Sequence, residues 1–392
     1  MGISPLYTRT LNQSGSGGSV QARNGSGTGF LSEQDGSEPL LDGATSQFPT
    51  IDPYLSEQIK ASSDINLSTI ERVEAFRDII DREIGDTALS RGRNIEREIN
   101  LRNLYLKFEG GNPTGTHKDR IAFTQANDAI RRGYDAVTTA TCGNYGVAMS
   151  LACKLAGLRC IIYIPEGYRT KRIAEMQSYG AEILFAGRDY EAACLESHDR
   201  SERDDIYDAN PGGRNSILQM EAYAQIAYEI YDELRDAPAA VGVPVSNGTT
   251  LVGIYMGFLS LYRRCKTSRI PRIIAGSSYR KNPIIDAFLR KRSECVDLKP
   301  ESMKETAINE PLINWHSIDG DEALKAIYDS NGSASYVSDK AMKSAAQMLK
   351  ETDGLLVLPA STAGLLALIN LHKAEQLPGD RYVAIITGKQ SK

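Results

Sequence analysis

Residues 111–120 read GNPTGTHKDR and place a lysine among small turn-forming residues at the start of a helix. Gly111 and Gly115 permit a tight turn, and Pro113 fixes one backbone angle. Lys118 then falls in the first helical turn, at the positive end of the helix dipole, where a charged amine is destabilised by about 0.3–1 kcal/mol. Such a placement lowers the pKa of the amine and favours a nucleophile. The turn alone leaves three roles open: a solvated surface charge, a phosphate ligand, or an amine for covalent chemistry.

Strands and helices alternate around this turn. Residues 101–110, LRNLYLKFEG, are strand-like, and we expect a helix from Lys118 to about Arg132. Further along, strand-like runs such as VGVPVS precede apolar helical runs such as TTLVGIYMGFLSLYRR. This order predicts an α/β fold of two open, mostly parallel sheet lobes with flanking helices. Because ligands of such sheets bind beyond the carboxyl ends of the strands, we expect the site at the strand-to-helix turns.

Composition divides the 392 residues into a tail and a globular part. Residues 1–50 are rich in serine and glycine and lack the apolar spacing of a core, which predicts a flexible tail. The early arginines of this tail faintly resemble an organelle transit peptide. Beyond it we predict a larger lobe, formed by residues 51–134 and 236–392, and a smaller α/β lobe formed by residues 135–235.

Charge and cysteine usage exclude several classes of function. With 41% apolar and 24% charged residues, the chain has the composition of a soluble globular protein. The net charge of −5 and the lack of a long basic run argue against a nucleic-acid partner. No apolar run reaches the roughly 18 residues of a membrane span. Six cysteines without a CxxC pair and four histidines argue against a metal site and favour a reducing, cytoplasmic location.

Three further turns carry groups that suit an anion. Residues 140–146, ATCGNYG, place Asn144 near a helix N-terminus, although an ordinary asparagine cap also explains this turn. Residues 244–253 lead a buried strand into SNGTT, which offers backbone N–H groups and hydroxyls at a helix N-terminus. This turn is neither a Walker loop nor a GxGxxG fingerprint. Thr387 follows the last predicted strand, in IITGKQSK, and either faces the same sheet edge or belongs to a frayed terminus.

In this order, the turns resemble those of the pyridoxal-phosphate enzymes of the tryptophan synthase beta fold, also called fold type II. Among these enzymes the sequence is most similar to threonine synthase. The family pattern has NPTGSFKDR, SGNT, a glycine-rich phosphate loop, EPASA and TGHG. This chain has NPTGTHKDR, CGNYG, SNGTT, LPASTAG and TGKQ in the same order. The resemblance covers roughly residues 80–392 and makes the larger lobe the one that binds the cofactor.

The resemblance implies a role for each turn. Lys118 would hold pyridoxal 5′-phosphate (PLP) as an aldimine and would then remove the α-proton of the substrate as a general base. Asn144 would hydrogen-bond the ring hydroxyl of PLP, and Thr387 would face its pyridine nitrogen. Two sets of residues would bind anionic groups: Asn247, Gly248, Thr249 and Thr250 the phosphate, and Thr141, Cys142, Gly143, Asn144 and Tyr145 the substrate carboxylate.

The implied reaction is that of threonine synthase, a PLP-dependent lyase of amino-acid biosynthesis. It converts O-phosphohomoserine to threonine by elimination and water addition. One alternative is β-replacement or β-elimination on a serine-type amino acid, as in cysteine synthase, cysteate synthase or threonine dehydratase. Another is a non-catalytic binding protein that keeps the fold, which the intact Lys118 argues against. We further expect a small amino-acid substrate and a homodimer.

Several positions depart from the family pattern. Tyr145 puts a bulky ring where the pattern has a small hydroxyl, and His117 replaces the usual aromatic residue, as in tryptophan synthase beta. Leu358 replaces the glutamate of EPASA. A threonine synthase also needs a second anion pocket, because phosphohomoserine carries a phosphate far from its amino-acid group. The candidates for that pocket are Arg120, Arg169, Lys171 and Arg172.

Overall fold

The computed structural model describes residues 53–141, 143–168 and 170–390, so the predicted tail of residues 1–50 lies outside the described residues. The α-helices are α1 (Pro53–Ser63), α2 (Thr69–Glu83), α3 (Arg93–Ile99), α4 (Lys118–Arg131), α5 (Asn144–Ala156), α6 (Ile173–Ser178), α7 (Tyr190–Arg203), α8 (Ser216–Leu234), α9 (Thr249–Arg263), α10 (Pro283–Leu289), α11 (Gly320–Asp329), α12 (Asp339–Asp353) and α13 (Ala363–Glu375). The strands are β1 (Leu89–Arg91), β2 (Leu104–Phe108), β3 (Ala136–Ala140), β4 (Arg159–Ile164), β5 (Glu182–Phe185), β6 (Tyr207–Asp208), β7 (Ala240–Pro244), β8 (Arg272–Ser278), β9 (Ser333–Val337) and β10 (Tyr382–Ile386).

The strands form two sheets. The larger sheet has the order β1-β2-β10-β7-β8-β9, and all its pairings are parallel except that of β1 with β2. The smaller sheet has the order β5-β4-β3-β6 and is parallel throughout. The α/β fold with mostly parallel sheets is therefore confirmed. The lobe boundaries stay predictions, although every strand of the smaller sheet falls within residues 136–208.

Some helices and strands have too weak a hydrophobic pattern in the sequence to be predicted. Strand β9 has the sequence SASYV and lies at the edge of the larger sheet, so it lacks the apolar run of a central strand. Helix α7, YEAACLESHDRSER, is mostly polar and buries three small residues, Ala193, Ser197 and Ser201. The run GLLVLPAS, residues 354–361, has the pattern of a strand or the end of one, but it contributes one isolated bridge, Val357 to Lys389, before a 3₁₀ turn begins at Pro359.

The central strands are buried along their whole length because helices cover both faces of the sheet. All five residues of β7 and of β10 are buried, as expected for parallel strands. Helix α13 packs so closely on β7 that a Cβ at Gly242 would lie 2.4 Å from the backbone oxygen of Gly364. Glycine at both positions is what brings the start of α13 into direct contact with the sheet.

One hydrophobic cluster contains residues of both sheets. Val137 and Ile162 of the smaller sheet belong to it together with Val241, Ile273 and Val383 of the larger sheet. This cluster therefore joins one face of each sheet, and further clusters lie elsewhere in the described chain. Among the helices that the structure describes, none is long and apolar enough to cross a membrane.

A buried ionic network ties α4 to α8 and β2. The guanidinium of Arg120 lies 2.6 Å from carboxylate oxygens of both Glu109 and Glu229, and the Lys107 ammonium lies 2.5 Å from Glu229. Burial raises the pKa of Glu229, but the Arg120 guanidinium outweighs this effect and holds the pKa at about 2. Arg120 is thus engaged inside the protein, and it is absent from the lining of the cavity described below.

Candidate active site

A cavity of about 590 Å³ opens where strands of both sheets end and helices begin. The residue after β10 and the first turns of α4, α5 and α9 contribute to its wall. This is the sheet edge at which α/β proteins bind ligands. The lining includes every described residue that was predicted to bind cofactor or substrate: Lys118, Thr141, Gly143, Asn144, Tyr145, Asn247, Gly248, Thr249, Thr250 and Thr387. The remaining predicted residue, Cys142, lies outside the described residues.

Lys118 is the first residue of α4, and its ammonium lies between two aromatic rings. The Nζ atom is 6.0 Å from the ring centre of Tyr145 and 5.8 Å from that of Tyr223. Burial lowers the pKa of the Lys118 amine to about 8, and the nearby Asp319 carboxylate limits the decrease. At this pKa roughly one amine in ten is neutral at pH 7, far more than for an ordinary lysine. The side chain is therefore a competent nucleophile near neutral pH.

His117 joins the lysine turn to the segment after β10. Its backbone N–H donates to the carbonyl oxygen of Thr387 at 2.9 Å, and its Nδ1 lies 3.1 Å from the same oxygen. Because a carbonyl oxygen only accepts hydrogen bonds, Nδ1 carries the proton. Burial and then the neighbouring Lys118 charge hold the pKa of His117 well below its usual value, so the ring is neutral. The ring also stacks on Tyr223, with centres 5.3 Å apart.

The turn before α9 leaves a helix N-terminus open to the cavity. Gly248 has a φ of +105°, and a Cβ there would lie 2.6 Å from the backbone oxygen of Asp319. No side chain caps α9, whose first residue is Thr249, and the earliest backbone bond of the turn runs from Val252 N–H to Gly248. The free N–H groups and the helix dipole therefore favour an anion.

Asp319 supports this turn from outside the predicted motifs. Its carboxylate accepts a hydrogen bond from the Thr249 hydroxyl, and its backbone N–H donates to the Asn247 carbonyl at 3.0 Å. Burial raises the pKa of the Asp319 carboxyl. No local motif predicted this residue, because it reaches the turn from the start of α11, far along the chain.

The loop before α5 offers a second uncapped helix N-terminus. Gly143 precedes the helix without a side-chain cap, and its N–H donates to the Thr141 hydroxyl at 3.3 Å. Thr141 is itself held by a bond from its N–H to the Tyr163 carbonyl at 3.0 Å. Asn144 lines the cavity as the first residue of α5. This geometry suits a carboxylate.

Tyr145 forms part of the cavity floor, with 8% of its surface exposed. Its hydroxyl donates to the Ala209 carbonyl at 2.7 Å and accepts from Gln125 Nε2 at 2.6 Å. These two bonds fix the ring against the core. Whether the ring limits the size of the substrate stays a prediction.

The lining of the cavity carries several carboxylates that no sequence motif predicted. Four of its carboxylates come from separate loops and helices: Glu166, Glu191, Glu305 and Glu310. Burial, and then the charge of Glu305, raise the pKa of Glu310 to about 7.

Two lining residues of the described chain carry a positive charge, Lys118 and Arg188, and Arg188 is largely exposed and paired with Asp189. Of the cations proposed for a second anion pocket, Lys171 and Arg172 are not part of the lining. Arg169 lies outside the described residues.

Comparison with known proteins assigns the class. Residues 80–388 match the family of pyridoxal-phosphate dependent enzymes. The chain belongs to this family, and its cofactor is PLP. It is 31% identical to the threonine synthase of Methanocaldococcus jannaschii over 310 residues, 78% of this chain and 74% of that protein. It is 28% identical to the threonine synthase of a Bacillus species, over 79% of this chain and 83% of that protein.

Solved structures share the fold at lower identity. Maize serine racemase has a TM-score of 0.67 and 18% identity, and covers 84% of this chain and 94% of its own. The threonine deaminase isoform 2 of Solanum lycopersicum has a TM-score of 0.65 and 16% identity, and covers 82% of this chain and 90% of its own. The tryptophan synthase beta-like fold is thus confirmed.

The cavity fits PLP in three respects. Lys118 supplies a buried amine of lowered pKa for the aldehyde. The uncapped start of α9 suits the phosphate, and Gly248 adopts the positive φ of this turn in close contact with Asp319. The fully buried hydroxyl of Tyr223 makes no hydrogen bond of normal geometry within the described residues, which leaves a donor for a bound group.

Proposed function

We propose that this protein is a PLP-dependent lyase of the threonine synthase type, which converts O-phosphohomoserine to threonine by elimination and water addition. The observation that carries the proposal is the meeting of the lysine turn, the loop before α5, the turn before α9 and Thr387 in one cavity. The similarity to threonine synthases over more than three quarters of the chain supports the choice of substrate.

In the proposed arrangement, Lys118 holds the aldehyde end of PLP and the start of α9 holds its phosphate. Asn144 bonds the ring hydroxyl, and Thr387 faces the pyridine nitrogen. When bound, PLP delocalises the negative charge that remains after a proton leaves the α-carbon. The role of the protein is to hold the bond that breaks in the right orientation and to supply a base.

Three groups of this chain perform the remaining steps. The Lys118 amine, neutral in part at pH 7, accepts the α-proton at Nζ. The N–H groups at the start of α5 and the Thr141 hydroxyl orient the substrate carboxylate. The rings of Tyr145 and Tyr223 exclude water beside Nζ, which keeps the pKa of the amine low.

A second candidate follows from the carboxylates of the cavity lining. Carboxylates at Glu166, Glu191 and Glu305 repel a dianionic phosphate more than they repel a neutral or cationic group. This favours β-replacement on a serine-type amino acid by a neutral or positively charged nucleophile. A threonine synthase would instead need a cation that offsets these charges, and Arg169 remains the candidate.

A substrate panel decides between the two reactions. The holoenzyme is incubated with O-phosphohomoserine, serine, threonine, O-acetylserine and O-phosphoserine, and the products are identified by mass. The proposal expects threonine from O-phosphohomoserine, and none from the Lys118→Ala variant. Rapid turnover of a serine derivative, with none of O-phosphohomoserine, would exclude threonine synthase and leave the PLP assignment intact.

A further inference from the structure

Tyr223 carries a buried hydroxyl that makes no hydrogen bond of normal geometry within the described residues, although Thr250 lies beside it. The Tyr223 side chain is 0% exposed. Buried hydroxyls in native proteins are nearly always paired, so an unpaired one at a ligand cavity indicates a group that pairs with it on binding. Tyr223 lines the cavity that holds Lys118.

The second tyrosine beside Lys118 differs in this respect. The hydroxyl of Tyr145 both donates to and accepts from protein groups. Both rings lie about equally far from Lys118 Nζ, at 6.0 Å and 5.8 Å. The two residues therefore share a location but not a role: the hydroxyl of Tyr145 is used inside the protein, and that of Tyr223 is left for a ligand.

The position of Tyr223 points its hydroxyl toward the start of α9. Its ring is held by the stack on His117, and its hydroxyl lies beside the side chain of Thr250, the second residue of α9. A Cβ at Gly253 would lie 2.6 Å from the Tyr223 Cβ, so α8 contacts the first turns of α9 directly.

The unpaired groups at the start of α9 are hydrogen-bond donors, so they favour a ligand with acceptor atoms. The free N–H groups of the helix and the Tyr223 hydroxyl are donors, and a phosphate supplies several acceptor oxygens. Burial raises the pKa of the Tyr223 hydroxyl, so it stays protonated and donates across the working pH range. A tyrosyl donor beside a helix N-terminus is thus matched to an anion rather than to a cation.

We infer that Tyr223 binds the cofactor: its hydroxyl donates a hydrogen bond to the phosphate of PLP at the start of α9, at an angle set by the His117 stack. The inference rests on the phosphate position proposed above. It adds a ligand from α8 that none of the sequence motifs contains.

The test compares apo-protein of the wild type and of Tyr223→Phe, each titrated with PLP and with pyridoxal, which lacks the phosphate. Absorbance of the bound aldehyde gives the dissociation constants. We expect the constant for PLP to rise about tenfold or more, as for loss of a hydrogen bond to a charged group, and that for pyridoxal to stay unchanged. The melting temperature of apo Tyr223→Phe should equal or exceed that of the wild type, because the lost hydroxyl makes no hydrogen bond of normal geometry to the described part of the chain.

Tyr145→Phe is the matched control for stability. It removes a hydroxyl with two partners, so its apo-protein should melt at a lower temperature than the wild type. A melting temperature of apo Tyr223→Phe that falls as far as that of Tyr145→Phe would show a structural hydroxyl and overturn the inference.

Two further outcomes contradict it. An unchanged dissociation constant for PLP in Tyr223→Phe would show that the hydroxyl does not bond the cofactor. Equal losses of affinity for PLP and for pyridoxal would show that it bonds the ring rather than the phosphate. Wild-type protein that binds pyridoxal as tightly as PLP would instead refute the phosphate position at α9.

If Tyr223→Phe does not fold, wild-type apo-protein labelled with 3-fluorotyrosine replaces it. We expect inorganic phosphate alone, which does not react with Lys118, to shift one buried fluorine resonance. No such shift would overturn the inference.

Discussion

At the scale of a residue, the surroundings of Lys118 lower the pKa of its amine. Two aromatic rings lie within about 6 Å of its Nζ atom, and burial brings the pKa of the amine to about 8. Asp319 is the nearby carboxylate that limits this effect, and it approaches from α11. The environment therefore makes the amine reactive before any cofactor or substrate contributes.

This pKa predicts how the apo-protein reacts with an aldehyde as pH changes. Below pH 8 the rate of attachment of pyridoxal should rise about tenfold per pH unit, because only the neutral amine attacks. Above about pH 8 the rate should level off, and stopped-flow absorbance measures both limbs. Lys171→Ala, which alters an exposed lysine outside the cavity, should give the same profile. A rate that still climbs steeply beyond pH 9 would mean that the reacting lysine has an ordinary pKa.

At the scale of an element, the start of α9 depends on one backbone conformation. Gly248 combines a φ of +105° with a Cβ position 2.6 Å from the Asp319 backbone oxygen. An added methyl group must displace either the turn or the start of α11. The proposed phosphate site consists of the backbone N–H groups at the start of α9, directly after Gly248. A displacement of the turn would therefore change the positions of these groups.

Gly248→Ala should therefore weaken PLP binding by about tenfold or more and lower the stability of the apo-protein by about 1–3 kcal/mol. Titration with PLP and urea denaturation measure the two effects. Gly133→Ala is the matched control: Gly133 has a φ of +80°, but its Cβ would meet nothing within 4 Å. The control should lose stability and keep its PLP affinity. Equal PLP affinity in Gly248→Ala and Gly133→Ala would show that the phosphate does not bind at this turn.

The elements also show which features a sequence can reveal. The turns at Gly115 and Gly248 need glycine for a positive φ, so the sequence carries a local signal for them. Tyr223 and Asp319 carry no such signal, because each acts through contacts with a segment distant in the chain. The edge strand β9 escaped prediction for a related reason: it buries too little surface to need an apolar run.

At the scale of the whole molecule, the ionic network of Arg120 joins segments that are far apart in sequence. Glu109 is 0% exposed and has Arg120 as its ion-pair partner, while Glu229 reaches the same guanidinium from α8. Removing the arginine leaves a buried carboxylate without a cation. Such a loss costs far more than the loss of a surface pair.

Arg120→Leu should lower the free energy of unfolding by about 3–5 kcal/mol in urea denaturation at pH 7. Arg131→Leu is the control: Arg131 is 62% exposed and paired with Asp128 on its own helix, so its loss should cost under about 1 kcal/mol. Equal losses in the two variants would contradict a structural role for the network.

The network also predicts how stability depends on pH. Burial raises the pKa of Glu229, but Arg120 and then Lys107 outweigh it and bring the pKa from 4.5 to about 2, so the stability from this ionised carboxylate is present above pH 4.5 and is lost as pH falls toward 2. Wild-type stability should decline across that window, and Arg120→Leu should decline less, in urea midpoints measured at each pH. An equal loss of stability with falling pH in the wild type and in Arg120→Leu would show that a group other than Glu229 titrates.

The central position of β10 has a consequence for synthesis of the protein. This strand pairs with β2 on one side and with β7 on the other, yet the ribosome makes it long after both. At usual elongation rates the nascent chain carries β2 unpaired on that side for on the order of tens of seconds, while the smaller sheet already has all its strands. The backbone hydrogen bond from His117 to Thr387 can therefore form only after β10 has been made. The two tyrosines and the Asp319 carboxylate that surround Lys118 are synthesised earlier, so the amine can be buried before the larger sheet is complete.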